Sequence, residues 1–418
     1  MSKEKLLIPE LRFPEFVNEG VWLEDIVNHV AEYENGKAHE QDIVEQGKYV
    51  VVNSKFISTD GEVRKYTNTA NCLAKKNEIL MVLSDVPNGR AIAKCFHVDK
   101  DDFYTVNQRI CKINPTKIYG RLLYYLLNRN QFFLAFDDGV KQTNLRNEDV
   151  LNCPIILPEN PIEQQKIASC LSSLDEVIAA HSQKLESLKD HKKGLMQNLF
   201  PQDGEKVPKY RFKEFENDGE WVEKKLENYI DLFSGIALKS EELSDDESGV
   251  PILRGINITE GYLRHSKDID KYFLGNLDYL EKYLVKENDI VIGMDGSKVG
   301  KNVAMITKVD ENSILIQRVA RIRTNKNADI KFVYQYFISD KFRSYVDTVN
   351  TSSGIPHISA QQIKDSKVGF PPKINEQQKI ASCLSSLDAL ITSQTEKIEQ
   401  LKLHKKGLMQ GLFPKIND

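Results

Sequence analysis

Thirteen consecutive residues, EQQKIASCLSSLD at 163–175, recur without a change at 376–388. The run after each copy recurs as well. HKKGLMQ at 191–197 returns at 404–410, and Phe200-Pro201 returns as Phe413-Pro414, all at an offset of 213 residues. A second repeat opens each half. PELRFPEF at 9–16 answers to PKYRFKEF at 208–215, Trp22 to Trp221, Gly36 to Gly235 and Ala38 to Ala237, at an offset of 199. A duplicated frame fixes the architecture before any single residue does. It divides the chain into halves 1–200 and 201–418, each a globular region followed by one long element. The growth of the offset from 199 to 213 makes the second globular region about 14 residues longer. Between the shared ends the two regions differ greatly in sequence.

The long element reads as a helix. Leu171, Leu174, Ile178, His181, Leu185, Leu188, Lys192, Leu195 and Leu199 are spaced alternately by three and four, the seam of a coiled coil. Adding 213 gives Leu384, Leu387, Ile391, Gln394, Ile398, Leu401, Lys405, Leu408 and Leu412, so the seam survives with its polar breaks. No proline interrupts either run. Asn160, Pro161 and Glu163 form the pattern of a cap, a first-turn proline and a capping-box acid; Lys373 replaces the cap in the second copy. A helix of roughly 35–40 residues is roughly 55 Å long, more than an ordinary globular helix. Two such helices are expected to pack together. A compact domain between the end of one and the start of the other makes the pair antiparallel. The polar seam members His181, Lys192, Gln394 and Lys405 either fix register or face a partner protein; the reading adopted is the partner. The predicted divisions are a domain at 1–158, a helix at 159–200, a domain at 201–371 and a helix at 372–418.

Composition narrows the class. A chain of 418 residues with 40% hydrophobic and 28% charged content is long enough for several domains with ample core. No apolar run approaches the ~20 residues of a membrane span, and MSKEKLLIPE lacks the apolar stretch of a signal peptide. The six cysteines contain no CxxC pair, which argues against a zinc site and a disulfide framework. Cys170 and Cys383 occupy equivalent helix positions and are read as core thiols. A reducing cytoplasm is the expected compartment.

Catalytic signatures are missing. GSKVGKN at 296–302 has three residues between its glycines where a phosphate loop needs four, and Asn302 where Ser or Thr would hold magnesium. It is read as a turn between strands. HExxH, GxSxG, GxGxxG after a strand and the Asn/Asp-Pro-Pro-aromatic motif of amino-methyltransferases do not occur. The eight histidines show no metal-ligand spacing. Neither an enzyme nor a metal or cofactor site is expected in this chain.

Each globular region reads as mixed α/β (α+β). Strand-like runs are Tyr49–Val52, Glu78–Leu83, Arg109–Ile113, Asp289–Ile292 and Val319–Ile322, and amphipathic helices are expected at Tyr119–Phe133 and Ile330–Val346. Each region ends in a loop rich in Gly, Ser or Thr, DDGVKQTNLRNEDV at 137–150 and TSSGIPHISAQQI at 351–363. The chain as a whole carries a net charge of −4, yet residues 48–112 hold eleven Lys and Arg against seven Asp and Glu, and residues 291–325 hold six against three. Reading base edges needs Arg, Lys, Asn and Gln. The first region offers Asn53, Lys55, Arg64, Lys65, Asn107, Gln108, Arg109, Lys141, Gln142, Asn144 and Arg146. The second offers Arg254, Asn257, Lys298, Lys301, Gln317, Arg318, Arg321, Arg323 and His357. Arg109 and Arg318 each follow a Gln at comparable places. The acidic run EELSDDE at 241–247 is expected to face away from DNA or towards a partner.

On these motifs the sequence resembles the specificity subunits of type I restriction–modification systems. The resemblance rests on the PxxRFxEF…W opening, on PIEQQKIA and KINEQQKIA at the helix starts, on KKGLMQxLFP at the helix ends, and on IVIGMDGSKVGKNVAMI at 290–306. It implies two target-recognition domains held apart by the antiparallel helix pair, each reading one half of a split double-stranded DNA target. It also implies two methyltransferase subunits that bind S-adenosylmethionine, and restriction/translocase subunits that cut. A stand-alone nuclease or methyltransferase and a pure coiled-coil scaffold are the alternatives. The first lacks a cofactor or metal motif, and the second needs no divergent basic domains inside a duplicated frame.

Overall fold

Both repeated segments are single helices in the computed structural model of the chain, Pro161–Leu199 and Ile374–Leu412, of 39 residues each. The structure describes residues 7–350 and 355–414. Every seam residue named above is buried or half-buried, whereas most of the residues beside them are exposed. Asn160 caps the first helix, its side chain accepting the Ile162 N–H at 2.9 Å.

The chain divides into two compact units, Met1–Ser182 with Lys397–Asp418, and Gln183–Glu396. Packing thus shares each helix between the units, where the predicted divisions set helix and domain apart. In the first unit Ile167, Ala168 and Leu171 pack with Leu408, Met409, Leu412 and Phe413 around Trp22. In the second, Ile380, Ala381 and Leu384 pack with Leu195, Met196, Leu199 and Phe200 around Trp221. Each unit therefore joins the start of one helix to the end of the other, and the helical segments run antiparallel. The repeated Phe of each helix end has a structural reason. Phe413 meets Trp22 edge-on at 6.1 Å and Phe200 meets Trp221 at 6.0 Å.

The polar seam corrects one expectation. Lys405 binds Asp175 at 2.5 Å and Lys192 binds Asp388 at 2.6 Å, with the lysine side chains only 21% and 13% exposed. Gln394 is buried and His181 half-buried, and both already make contacts. Lys192 and Lys405 are taken up by acids of the facing helix, so for these two lysines register replaces the assignment to a partner surface. Cys170 and Cys383 are half-buried on the helices, while Cys72, Cys95, Cys111 and Cys153 are buried.

The repeated openings are explained by a pair of buried ions. Arg12 grips Glu163 with two hydrogen bonds of 2.7 and 2.8 Å. Arg211 grips Glu376 with two of 2.8 Å. The third arginine nitrogen donates to backbone carbonyls, Glu19 and Gly20 in one unit and Gly219 in the other. Glu163 is thus a buried counterion, and the capping-box reading of it is withdrawn.

Both units are built on the same four-stranded antiparallel sheet. In the first the order is Ala31–Asn35, Ile110–Pro115, Ile79–Val82, Cys95–His97; in the second it is Ile230–Ser234, Val319–Thr324, Ile290–Gly293, Val303–Met305. A second, mixed sheet accompanies each, of five short strands in the first unit and three in the second, pairing Tyr49–Val52 parallel to Tyr104–Val106 and Val250–Leu253 parallel to Ile314–Leu315. The architecture is mixed helix and strand, as expected. The helix expected over Tyr119–Phe133 is two, Gly120–Leu127 and Gln131–Leu134, broken where Arg129 turns left-handed at φ +59°. Ile330–Val346 likewise divides into Ile330–Phe337 and Asp340–Val349, the second capped by Ser339. GSKVGKN is the turn of the hairpin formed by Ile290–Gly293 and Val303–Met305.

Candidate nucleic-acid interface

At one edge of each sheet the same backbone ladder is built twice. In the first unit Gly36 N–H donates to Ile110 O at 2.9 Å, Leu83 N–H to Arg109 O at 3.0 Å, and Leu145 N–H to Leu83 O at 2.8 Å. In the second, Gly235 N–H donates to Val319 O, Met294 N–H to Arg318 O and Ile358 N–H to Met294 O, each at 2.9 Å. Asn144 pairs with Ser84, and His357 pairs with Asp295. Gly36 is a necessity of this crossing, because a Cβ there would lie 2.1 Å from Asn107 O; at Gly235 it would lie 2.2 Å from Ile316 O. The ladder makes Gln108-Arg109 structurally equivalent to Gln317-Arg318, Ser84 to Asp295 and Asn144 to His357.

In the first unit this rim gathers Gln108, Arg109, Gln142 and Asn144, all exposed. Gln142 donates to Ser84 Oγ at 2.7 Å and to Asn144 Oδ1 at 3.2 Å. Gln108 donates to Glu40 at 3.1 Å. The Glu40 carboxyl is held below the ordinary carboxylate range, first by its own backbone N–H, against some desolvation, then by Asn107 and other donors including Gln108. Lys141 and Arg146 flank the same segment and are exposed. Lys55, Arg64 and Lys65 are exposed on the short helix Ser54–Ser58 and the turn beyond it. Asn107 is half-buried, its N–H donating to Val52 O at 3.0 Å.

The second rim carries Gln317, Arg318 and His357, with Lys298 and Lys301 exposed on the hairpin turn. The start of its closing loop, 351–354, lies outside the described residues. Ile355 occupies the place of Gln142 and is 72% exposed. In the acidic run 241–247, Asp245 pairs with Lys271 and Glu242 accepts the Lys239 N–H at 2.7 Å.

Five of the predicted contact residues do structural work instead. Asn53 caps a helix, accepting the Phe56 N–H at 2.9 Å. Asn257 is fully buried and donates to Arg264 O and to Asp270 at 2.9 Å. Arg254 donates inward to Ile269 O. Arg321 is buried over the Phe233 ring, and burial lowers its pKa. Arg323 is gripped by Asp289 at 2.5 and 2.7 Å, which raises its pKa. A guanidinium committed in this way has no fork left for a base.

Two copies of one scaffold carrying unlike polar rims define a duplicated recognition protein. The chain belongs to the type I restriction–modification DNA specificity family, whose domain matches it twice, at residues 22–190 and 218–403. It is similar to the type I restriction enzyme MjaVIII specificity subunit of Methanocaldococcus jannaschii, 26% identical over 378 residues, 88% of this chain and 86% of the relative. The EcoAI specificity subunit of Escherichia coli is 31% identical over 185 residues, 43% of this chain and 30% of that one. Among solved structures, the type I restriction–modification S subunit from M. genitalium shares the fold, with a TM-score of 0.66 at 19% identity over 98% of this chain and all of that one. The function is that of a DNA-specificity subunit of a type I restriction–modification system. No helix among the described residues is long and apolar enough to cross a membrane.

Proposed function

We propose that each unit reads one half of a bipartite duplex target through its rim. The chain itself is the non-catalytic member of the complex. It directs adenine methylation by two methyltransferase subunits, which bind S-adenosylmethionine, and cleavage by restriction/translocase subunits, all in the cytoplasm. The observation that supports this reading is the ladder of matched backbone bonds that presents Ser84, Gln142 and Asn144 in one unit and Asp295, Ile355 and His357 in the other. One geometry with two side-chain sets is what two half-sites of different sequence require. Exposed amides and guanidiniums match base edges. Exposed Lys141, Lys298 and Lys301 match phosphates, which position the protein without reading sequence.

The test uses the purified full chain. Alone it should bind duplex DNA with an affinity that falls steeply with salt, bind no S-adenosylmethionine and transfer no methyl group. Adding a methyltransferase subunit should give adenine methylation at one split motif. Methyl transfer by the chain alone would overturn the reading.

A further inference from the structure

At one matched position of the two rims a carboxylate replaces a hydroxyl. Asp295 stands in the second unit where Ser84 stands in the first. Asp295 Oδ2 accepts a hydrogen bond from Arg318 Nη1 at 2.9 Å, with the arginine side chain 69% exposed and the aspartate 22%. An exposed ion pair adds little stability, so its consequence is orientation. The backbone adds to this. Arg318 is left-handed at φ +67°, a conformation that costs a residue with a side chain energy and persists where surroundings enforce it. The enforcing contacts are Gln317 N–H to Ile236 O at 2.7 Å and Met294 N–H to Arg318 O at 2.9 Å. The arm is thus fixed at its root by the ladder and at its tip by the acid. One N–H of the guanidinium is used and the rest of its fork faces solvent. Arg109, at the same place in the first unit, has no such partner among the described residues.

We infer that Arg318 reads a guanine in the half-site of the second unit, with Asp295 as its positioning residue. This rests on the proposal that each unit reads one half-site. Guanine presents two acceptors, O6 and N7, on its major-groove edge, matched to two parallel N–H groups. Adenine presents one acceptor and one donor, which sets a donor against the guanidinium. A carboxylate beside DNA is repelled by phosphate. Its place in a rim is consistent with orienting an arginine or accepting from the N4 amine of cytosine, and both select a G·C pair.

The test maps methylated motifs on a duplex library, using the full chain with its methyltransferase partner. Native protein should show an invariant G·C pair in one half. Arg318→Ala should reduce preference at that position roughly 5- to 150-fold and leave the other half intact, which also shows that the variant is folded. Arg318→Lys should relax the same position, because lysine keeps the charge and loses the fork. Asp295→Asn should relax it partly and alter no other position. Unchanged specificity in Arg318→Ala would overturn the inference, as would relaxation at an A·T position. So would uniform weakening with a smaller salt slope, the mark of a phosphate contact. If these substitutions altered both halves, the half-site reading itself would fail.

Discussion

Glu376→Gln should destabilise the second unit by about 3–5 kcal/mol, the cost of leaving a buried charge without its partner. The Arg211 and Glu376 side chains are 6% and 0% exposed. Glu376 also lies 3.3 Å from Trp221 Nε1, so one carboxylate serves the arginine, the tryptophan and the start of a 39-residue helix. Glutamine keeps the shape and removes the charge, stranding the guanidinium. Removing both ions, as in Arg211→Met with Glu376→Gln, should recover part of the loss, because no buried charge is then left without a partner. The exposed pair Lys379–Glu214, 3.3 Å apart between the same helix and the short turn Lys213–Phe215, is the control. Breaking it should cost no more than about 1 kcal/mol. Thermal and denaturant melts of the full chain check all three. A Glu376→Gln protein as stable as the Lys379→Ala control would refute the role given to the buried pair.

The second large effect concerns the helices. Seven residues inserted into each of Pro161–Leu199 and Ile374–Leu412 preserve the heptad register, so the seam stays packed. Each helix lengthens by about 10 Å at ~1.5 Å per residue. If the helix pair sets the distance between the half-sites, the unspecified spacer should grow by about three base pairs at roughly 3.4 Å per pair. Inserting two residues turns the seam away and should cost folding instead. The Lys192–Asp388 and Lys405–Asp175 bridges make register matter at both ends. Methylation mapped on a library of spacer lengths reads the result. An active heptad variant confined to the native spacer would show that the helices do not set it.

How much of this was legible in sequence depends on the range of the interaction. The helices were legible because their seam repeats every few residues, and the copy at an offset of 213 confirmed it. The strand Tyr49–Val52 was legible as a short β-branched run. The Arg12–Glu163 bridge was not read, because its partners lie 151 residues apart. A signal existed nonetheless, since the arginine motif and the glutamate motif are both duplicated. The rim was half legible. Gln108-Arg109 and Gln317-Arg318 stood out as matched pairs, whereas Ser84 and Asp295 gain meaning only from the ladder that sets them opposite Asn144 and His357. Asn257, Arg321 and Arg323 were over-read for one reason. Residue type does not reveal burial, and a strand such as Val319–Thr324 places Arg321 and Arg323 on one face, where local acids claim them.

The claim that each unit reads its own half-site is tested most directly by exchange. Residues 40–150 are replaced by the matching segment of a relative with a different target, and the methylated motif is mapped with the same methyltransferase partner. One half of the motif should change to that of the donor, while the other half and the spacer stay as they were. A motif in which both halves change would contradict the account.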